Sequence, residues 1–322
     1  YDYYQPEAYI AHSDTYIEKD ASINEEIERL RHASTEALLT RRDVIIVASV
    51  SCIYGLGSPE EYAKSFARLL VGDKYTRQEI IEKLIDLYYE RTNADLTPGT
   101  FRAIGNSVEI MLPGEREIVN LKMTGDKIDE ILIIDAISRR IINTPTETYL
   151  YPAKHFITSE DDRNRAIKSI KAELEERLKE LEKEGKLLEA ERLKRRTNYD
   201  LAMIKEVGYC NGIENYSRHL SGRKKGEAPA TLLDYFPHNE DGSPDFLTII
   251  DESHVAVPQI RGMFAGDESR KKNLVEYGFR LPSALDNRPL RFPEFEKRVG
   301  PVLYTSATPG EYELEKSGKE GI

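Results

Sequence analysis

The chain has no tryptophan and only two cysteines in 322 residues, and no apolar run approaches the roughly 20 residues of a membrane-spanning helix. Cys52 and Cys210 sit in IVASVSCIYG and EVGYCNGIEN without CxxC or His-rich spacing. That excludes a disulfide framework or a Cys-rich zinc site, and both are expected to be reduced core thiols. The opening YDYYQPEAYI is not a basic segment followed by an apolar one, so neither a signal peptide nor a membrane is expected and the expected location is cytoplasmic. An excess of basic residues is also missing: the net charge of −11 excludes a protein that simply coats nucleic acid through phosphate neutralisation. Any DNA contact must be local. The phosphate-cradling pattern GxxxxGK[ST] is absent too, since GLGSP (Gly55 to Pro59) and GRKKGE (Gly222 to Glu227) lack its loop-then-Lys-Ser/Thr order.

What is present begins with FLTIIDESH, Phe246 to His254, an apolar run that reads as a buried strand ending in Asp251-Glu252. Two carboxylates at such a tip are costly unless a metal ion or a reacting water uses them. In nucleotide hydrolysis the first acid holds Mg²⁺ through water and the second polarises the attacking water. A second strand-like run, VLYTSATPG, ends in Ser306-Ala307-Thr308. This order resembles DNA and RNA helicase motors. With magnesium acids but no phosphate loop, the chain reads as an internal piece of such a motor.

The 19 tyrosines are uneven, and Tyr1, Tyr3, Tyr4, Tyr9 and Tyr16 crowd the first sixteen residues. Turn formers between two alternating arms predict a β-hairpin. Its rings could line a half-buried sheet face, or, among Asp2, Gln5 and Glu7 with few aliphatics, stack on bases. From Ser22, with Glu25 completing a capping box, Ile23, Ile27 and Leu30 have helical spacing. VIIVASV, Val44 to Val50, reads as a parallel-sheet strand. Gly55 and Gly57 predict unusual backbone angles or close approach. Ser58-Pro59 and Arg77 to Glu90 predict helices. Phe101 to Asp135 carries turn dipeptides at Gly105-Asn106, Pro113-Gly114 and Gly125-Asp126, which predict an antiparallel meander. After Ser159, with Asp162 in its capping box, Ile167, Ile170, Leu174, Leu178 and Leu181 share a face; Gly185 breaks the run and Leu187 to Val207 resumes it, predicting two antiparallel helices. Their charge run is a solvated face or a coiled-coil seam. Asp286-Asn287-Arg288 is either a turn or a contact to the hairpin or a DNA backbone.

YDYYQPEAYI, TYIEKDASIN, VASVSCIYGLGSPEEY, GIENYSRHLSGR, TLLDYFP, IIDESHV, GFRLPSALDNRPL and YTSATPGEYEL run in order along nearly the whole chain and together resemble the UvrB family, helicase-like subunits of bacterial nucleotide excision repair. The resemblance implies an α/β fold: a P-loop NTPase core of RecA-like helicase type, truncated at both ends, with an inserted α+β UvrA-binding domain, a β-hairpin and a helical subdomain. It implies a DNA-probing hairpin over 1–24, core over 25–64, the inserted domain over 65–152, the helical subdomain over 153–235 and core with DESH and SAT over 236–322. Asp251 and Glu252 match the catalytic acids, with Asp251 the Mg²⁺ site through water, and His254, Ser306 and Thr308 match residues coupling ATP to DNA. Tyr1, Tyr3, Tyr4, Glu7, Tyr9 and Tyr16 match the DNA-binding hairpin, and Arg91 and Arg102 match the UvrA contact. Ile104 departs from the family pattern, which has a basic residue there, so docking is expected to be weaker or rearranged. ATP, Mg²⁺, damaged double-stranded DNA, UvrA and UvrC are the implied cofactors and partners. The alternatives are another superfamily 2 helicase or translocase, and a module that only binds UvrA.

Overall fold

The computed structural model describes residues 6–18, 25–114, 116–155 and 160–318. In chain order, β1 (Ala8–Ile10) and β2 (Thr15–Ile17) form an antiparallel pair with Tyr9 opposite Tyr16, closed by a tight turn in which Asp14 adopts φ 47°. Helix α1 (Glu25–Thr40) follows; Ser22, its expected cap, lies outside the described residues. Val44 to Val50 is not a strand. A continuous apolar run becomes a strand only where ladder partners meet it, and none do among the described residues; Ile45 and Val47 are 92% and 96% exposed. The close approach expected at CIYGLG is present: Gly57 has φ 137°, and a Cβ on Gly55 would lie 3.1 Å from Pro229.

Next come α2 (Pro59–Lys64), β3 (Ala67–Leu70) and α3 (Arg77–Asp86), the last opened by a Thr76/Glu79 capping box. The predicted meander is β5 (Thr100–Ile104), β6 (Ser107–Met111), β7 (Glu117–Thr124), β8 (Lys127–Asp135) and β9 (Ile141–Asn143), preceded by the short β4 (Glu90–Arg91). These six strands pair in sequence order, β4 parallel to β5 and the rest antiparallel. Gly105 (φ 55°) and Gly125 (φ 64°) turn the β5–β6 and β7–β8 hairpins, where a side chain would be strained. β10 (Glu147–Leu150) returns antiparallel to β3. One face of the sheet encloses Phe101, Val108, Val119, Leu121 and Ile131 with Ile80 and Leu84 of α3; Ile118, Leu132 and Ile134 form a smaller cluster. That split is the period-2 alternation of β7 and β8.

α4 (Glu160–Lys183) and α5 (Leu187–Val207) are the predicted helix pair, with Gly185 (φ 75°) in the turn between them. Ile170, Leu174 and Leu181 are buried as expected, and Ala166, not foreseen, is buried as well. Ser159 lies outside the described residues. α6 (Ser217–Leu220), β11 (Thr248–Asp251), α7 (Ser253–Glu276), α8 (Phe292–Arg298), β12 (Val302–Thr305) and α9 (Glu311–Ser317) complete the chain. β11 and β12 form a two-stranded parallel sheet. Around it Ile53, Ile250, Val257, Ile260, Leu290 and Phe295 make a core.

The chain is thus mixed α/β and divides into two compact units. One holds α1, α2, β3, α3, the six-stranded sheet and β10; the other holds the β1–β2 pair, α4 to α9, β11 and β12. Among the described residues no helix is long and apolar enough to cross a membrane, and both cysteines are free.

Candidate nucleotide-end site and hairpin anchor

The two motifs singled out in the sequence meet at the ends of β11 and β12. Parallel pairing sets Asp251 opposite Thr305, and the Thr305 hydroxyl donates to Asp251 Oδ1 at 2.8 Å. Glu252 takes a left-handed conformation (φ 45°), which swings the chain from strand into α7 and leaves its carboxylate 66% exposed. At the second residue of the helix, His254 Nδ1 lies 2.7 Å from Ser306 Oγ and 3.4 Å from Glu252 Oε2. Ser306 Oγ also accepts from the Thr308 amide at 3.0 Å. Asp251, Glu252, His254, Ser306 and Thr308 therefore share one site. Thr305 belongs to it too; its signal was its position as the last residue of the strand-like VLYT, which register sets beside the acid.

Magnesium is commonly held by one or two carboxylates together with waters and substrate phosphates. Among the described residues no group of three or more His, Cys, Asp or Glu side chains is arranged to hold a metal. A lone strand-end carboxylate beside an exposed second acid fits magnesium completed by water and phosphate oxygens, and does not fit an all-protein metal cage.

The hairpin is anchored on its own unit, and two of its rings are not free. Tyr9 is buried; its ring centroid lies 4.7 Å from that of Tyr277 and 4.8 Å from that of Phe279, and its hydroxyl donates to Asp14 at 2.7 Å. Tyr16 stacks on Phe279 with centroids 4.5 Å apart and planes 5° from parallel. Its hydroxyl donates to Glu7 at 2.5 Å, and burial together with that carboxylate raises its pKa. Glu7 is itself buried and accepts from Arg280 Nε at 2.8 and 3.1 Å, while Arg270 donates to its carbonyl. Arg192 lies over the Phe279 ring at 4.2 Å. In this structure Tyr9, Tyr16 and Glu7, expected at the DNA, fasten the ribbon to the segment that follows α7. Alternation told which residues share a ribbon face, not which face a distant segment would cover. Tyr1, Tyr3 and Tyr4 lie outside the described residues.

In the sheet unit Arg91 is exposed on β4 and makes no ion pair among the described residues. Arg102, the other expected UvrA contact, is paired within the sheet: its Nε lies 2.8 Å from Glu109, a buried carboxylate that also accepts from Arg139 at 2.5 Å and from Asn120. Ile104, at the end of β5, is exposed. Asp286-Asn287-Arg288 is an interior turn, not an outward contact. Asp286 accepts from Arg218 and the Gly226 amide, and Arg288, 3% exposed, pairs with Glu294.

Residues 67–156 match the family model described as the UvrB interaction domain, and residues 161–222 match that of the UvrB third helical domain. The chain is 58% identical to UvrABC system protein B of Dehalococcoides mccartyi (strain CBDB1), over 98% of this chain and 47% of that protein. It is 56% identical to UvrABC system protein B of Corynebacterium diphtheriae, over all of this chain and 46% of that protein. The Carboxydothermus hydrogenoformans protein of the same name is 57% identical, over 99% of this chain and 47% of that protein. The chain spans about half the length of the curated relatives it matches. With both domain models matched and near-complete alignment of its own sequence, the chain belongs to the UvrB family.

Proposed function

We propose that this chain supplies part of an excision-repair subunit that verifies DNA damage at the expense of ATP, is loaded by UvrA and recruits UvrC for incision. One observation carries the reading: α7 begins at the Asp251, Glu252 and His254 site and ends where Tyr277, Phe279 and Arg280 hold the hairpin. A helix of 24 residues is about 36 Å long at 1.5 Å per residue, so one continuous helix joins the nucleotide end to the ribbon. When bound, ATP with Mg²⁺ supplies the scissile phosphoanhydride and neutralises its oxygens. Asp251, held in place by Thr305, would hold the magnesium through water. Glu252, free of the sheet, orients the attacking water and accepts its proton. His254 and Ser306 tie the two loops, so a shift of either is felt at the head of α7.

At the ribbon, Tyr1, Tyr3 and Tyr4 probe the damaged double-stranded DNA while Tyr9, Tyr16 and Glu7 keep the ribbon in place. In the sheet unit the unpaired Arg91 is the better placed UvrA contact; Arg102 would first have to leave Glu109. Since no GxxxxGK[ST] occurs in the 322 residues, the chain alone does not turn over ATP. In the subunit that carries this chain, Glu252→Gln should cut DNA-stimulated ATP turnover by about 10² or more, the usual weight of a positioned base, while UvrA capture is retained. Turnover within twofold of the parent would overturn the assignment.

A further inference from the structure

A second charged site lies in the helical part of the hairpin-bearing unit, away from DESH and SAT. Arg165 and Ser169 of α4, Arg218 and His219 of α6, and Arg223 and Lys225 of the following loop line a concave site of about 400 Å³. Four cations on one cleft are unexpected in a chain of net charge −11, and they are not equally neutralised. Arg218 is spent on Asp286 at 2.7 Å and Glu173 at 3.1 Å, and His219 on Glu173 at 2.6 Å and Ser169 at 2.7 Å. Arg223 instead donates only to neutral oxygens: Ser221 Oγ, Ser217 Oγ and the carbonyls of Glu227 and Asp286. Its guanidinium is held rigidly, yet it has no carboxylate in ion-pair contact among the described residues. Burial lowers its pKa, against the pull of Asp286 and Glu227. Lys225 makes no ion pair among the described residues either.

The loop is shaped around these groups. Gly222 has φ 67°, and a Cβ there would stand 3.0 Å from Arg165 Nη2, so the missing side chain lets that guanidinium close over the loop. Arg165 keeps one carboxylate, Asp162, at 2.5 Å and is 56% exposed. Glu173 and Asp286 are drawn off by Arg218, His219 and the amides of Ser283 and Gly226. What remains for a ligand is three cations from different directions, the Ser169 hydroxyl being engaged by His219. Such a set suits a tetrahedral oxyanion better than a planar carboxylate.

We propose that this cleft is a phosphate-binding site gripping either one phosphodiester of a nucleic-acid strand or a free phosphate, with Arg165, Arg223 and Lys225 as the holding groups. It stands whether or not the nucleotide-end reading does.

The test is titration of the 322-residue chain, without nucleotide, with inorganic phosphate and with a dodecameric oligo-dT at several salt concentrations. Arg165→Gln with Lys225→Gln removes two exposed cations without touching the packed Arg223, and Lys205→Gln on α5 is the single-charge control. The double variant should weaken binding at least about tenfold. For the oligonucleotide it should also lower the slope of log K against log salt by about 0.7, the weight of the one phosphate contact for a single strand; Lys205→Gln should leave the slope unchanged. Loss of phosphate binding in the double variant identifies a free-phosphate site. A changed slope without phosphate binding identifies a strand site. If neither ligand binds the parent, or each double-variant charge matters no more than Lys205, the proposal is wrong. Glu252→Gln reads turnover and this titration reads binding, so each proposal can fail alone.

Discussion

Removing Arg280 should release the hairpin. Its side chain is 6% exposed and that of Glu7 8%, with Nε 2.8 Å from the carboxylate; Asp200 lies 3.6 Å from Nη1. Burial alone would lower the Arg280 pKa, but Glu7, Tyr216 and Asp200 raise it, so Arg280 keeps its charge in the fold. Arg280→Met leaves Asp200 with Arg196 and Tyr216, whereas the Glu7 carboxylate keeps the Tyr16 hydroxyl but, among the described residues, no cation in ion-pair contact. Stranding a buried charge in this way costs about 3 to 5 kcal/mol. Glu7→Gln is gentler, about 1.5 to 3 kcal/mol for the lost charged hydrogen bonds, because Arg280 still has Asp200. The double variant strands nothing and should cost less than the sum, with a coupling of about 1 to 3 kcal/mol. Amide exchange of the peptide 6–18 reads this directly. At tenfold per 1.4 kcal/mol, Arg280→Met should speed it by about two to three and a half orders of magnitude, while the meander of the sheet unit is unchanged. An acceleration under about threefold, or strict additivity in the double variant, would refute the anchor.

The sheet unit should lose stability in mild acid, because His32 and His155 stack 3.9 Å apart beside the fully buried Tyr62. Burial, helped by Lys154 and Arg31, lowers His32 to about 3, and burial with His32 puts His155 well below its ordinary value. Both stay neutral in the fold while the unfolded chain takes up protons below about pH 6.5, so stability present above that pH declines as pH falls, by up to about 1.4 kcal/mol per unit per histidine. Urea midpoints between pH 7 and pH 5 check this, and a flat profile would contradict it. Gly278→Ala should destabilise far more than Gly242→Ala. Both have positive φ (71° and 82°), but only at 278 would the Cβ lie 2.2 Å from a backbone oxygen, that of Glu189. The left-handed backbone costs each about 1 to 2 kcal/mol, and equal melting temperatures for the two variants would show that the close approach is not real.

Much of this architecture was legible locally. The Gly105-Asn106 and Gly125-Asp126 turns, the period-2 runs between them, the helix pair broken at Gly185 and the two strand-end motifs all depend on neighbours within a few residues, where backbone propensity and side-chain period are decisive. Val44 to Val50 was misread because its composition is that of a strand, yet a strand exists only with a partner to complete its hydrogen bonds. The fate of individual side chains was beyond local reading. Nothing near Tyr9 or Tyr16 announces Phe279, nothing near Arg102 says that Glu109 and Arg139 will share its charge, and nothing in GRKKG shows that Arg223 will be held by neutral oxygens alone. Pattern therefore determined which elements form and which family the chain resembles. Packing between segments up to 273 residues apart, as in Glu7 with Arg280, decided which aromatic and charged groups are spent on the fold and which are left to act, because burial and pairing are properties of the assembled chain.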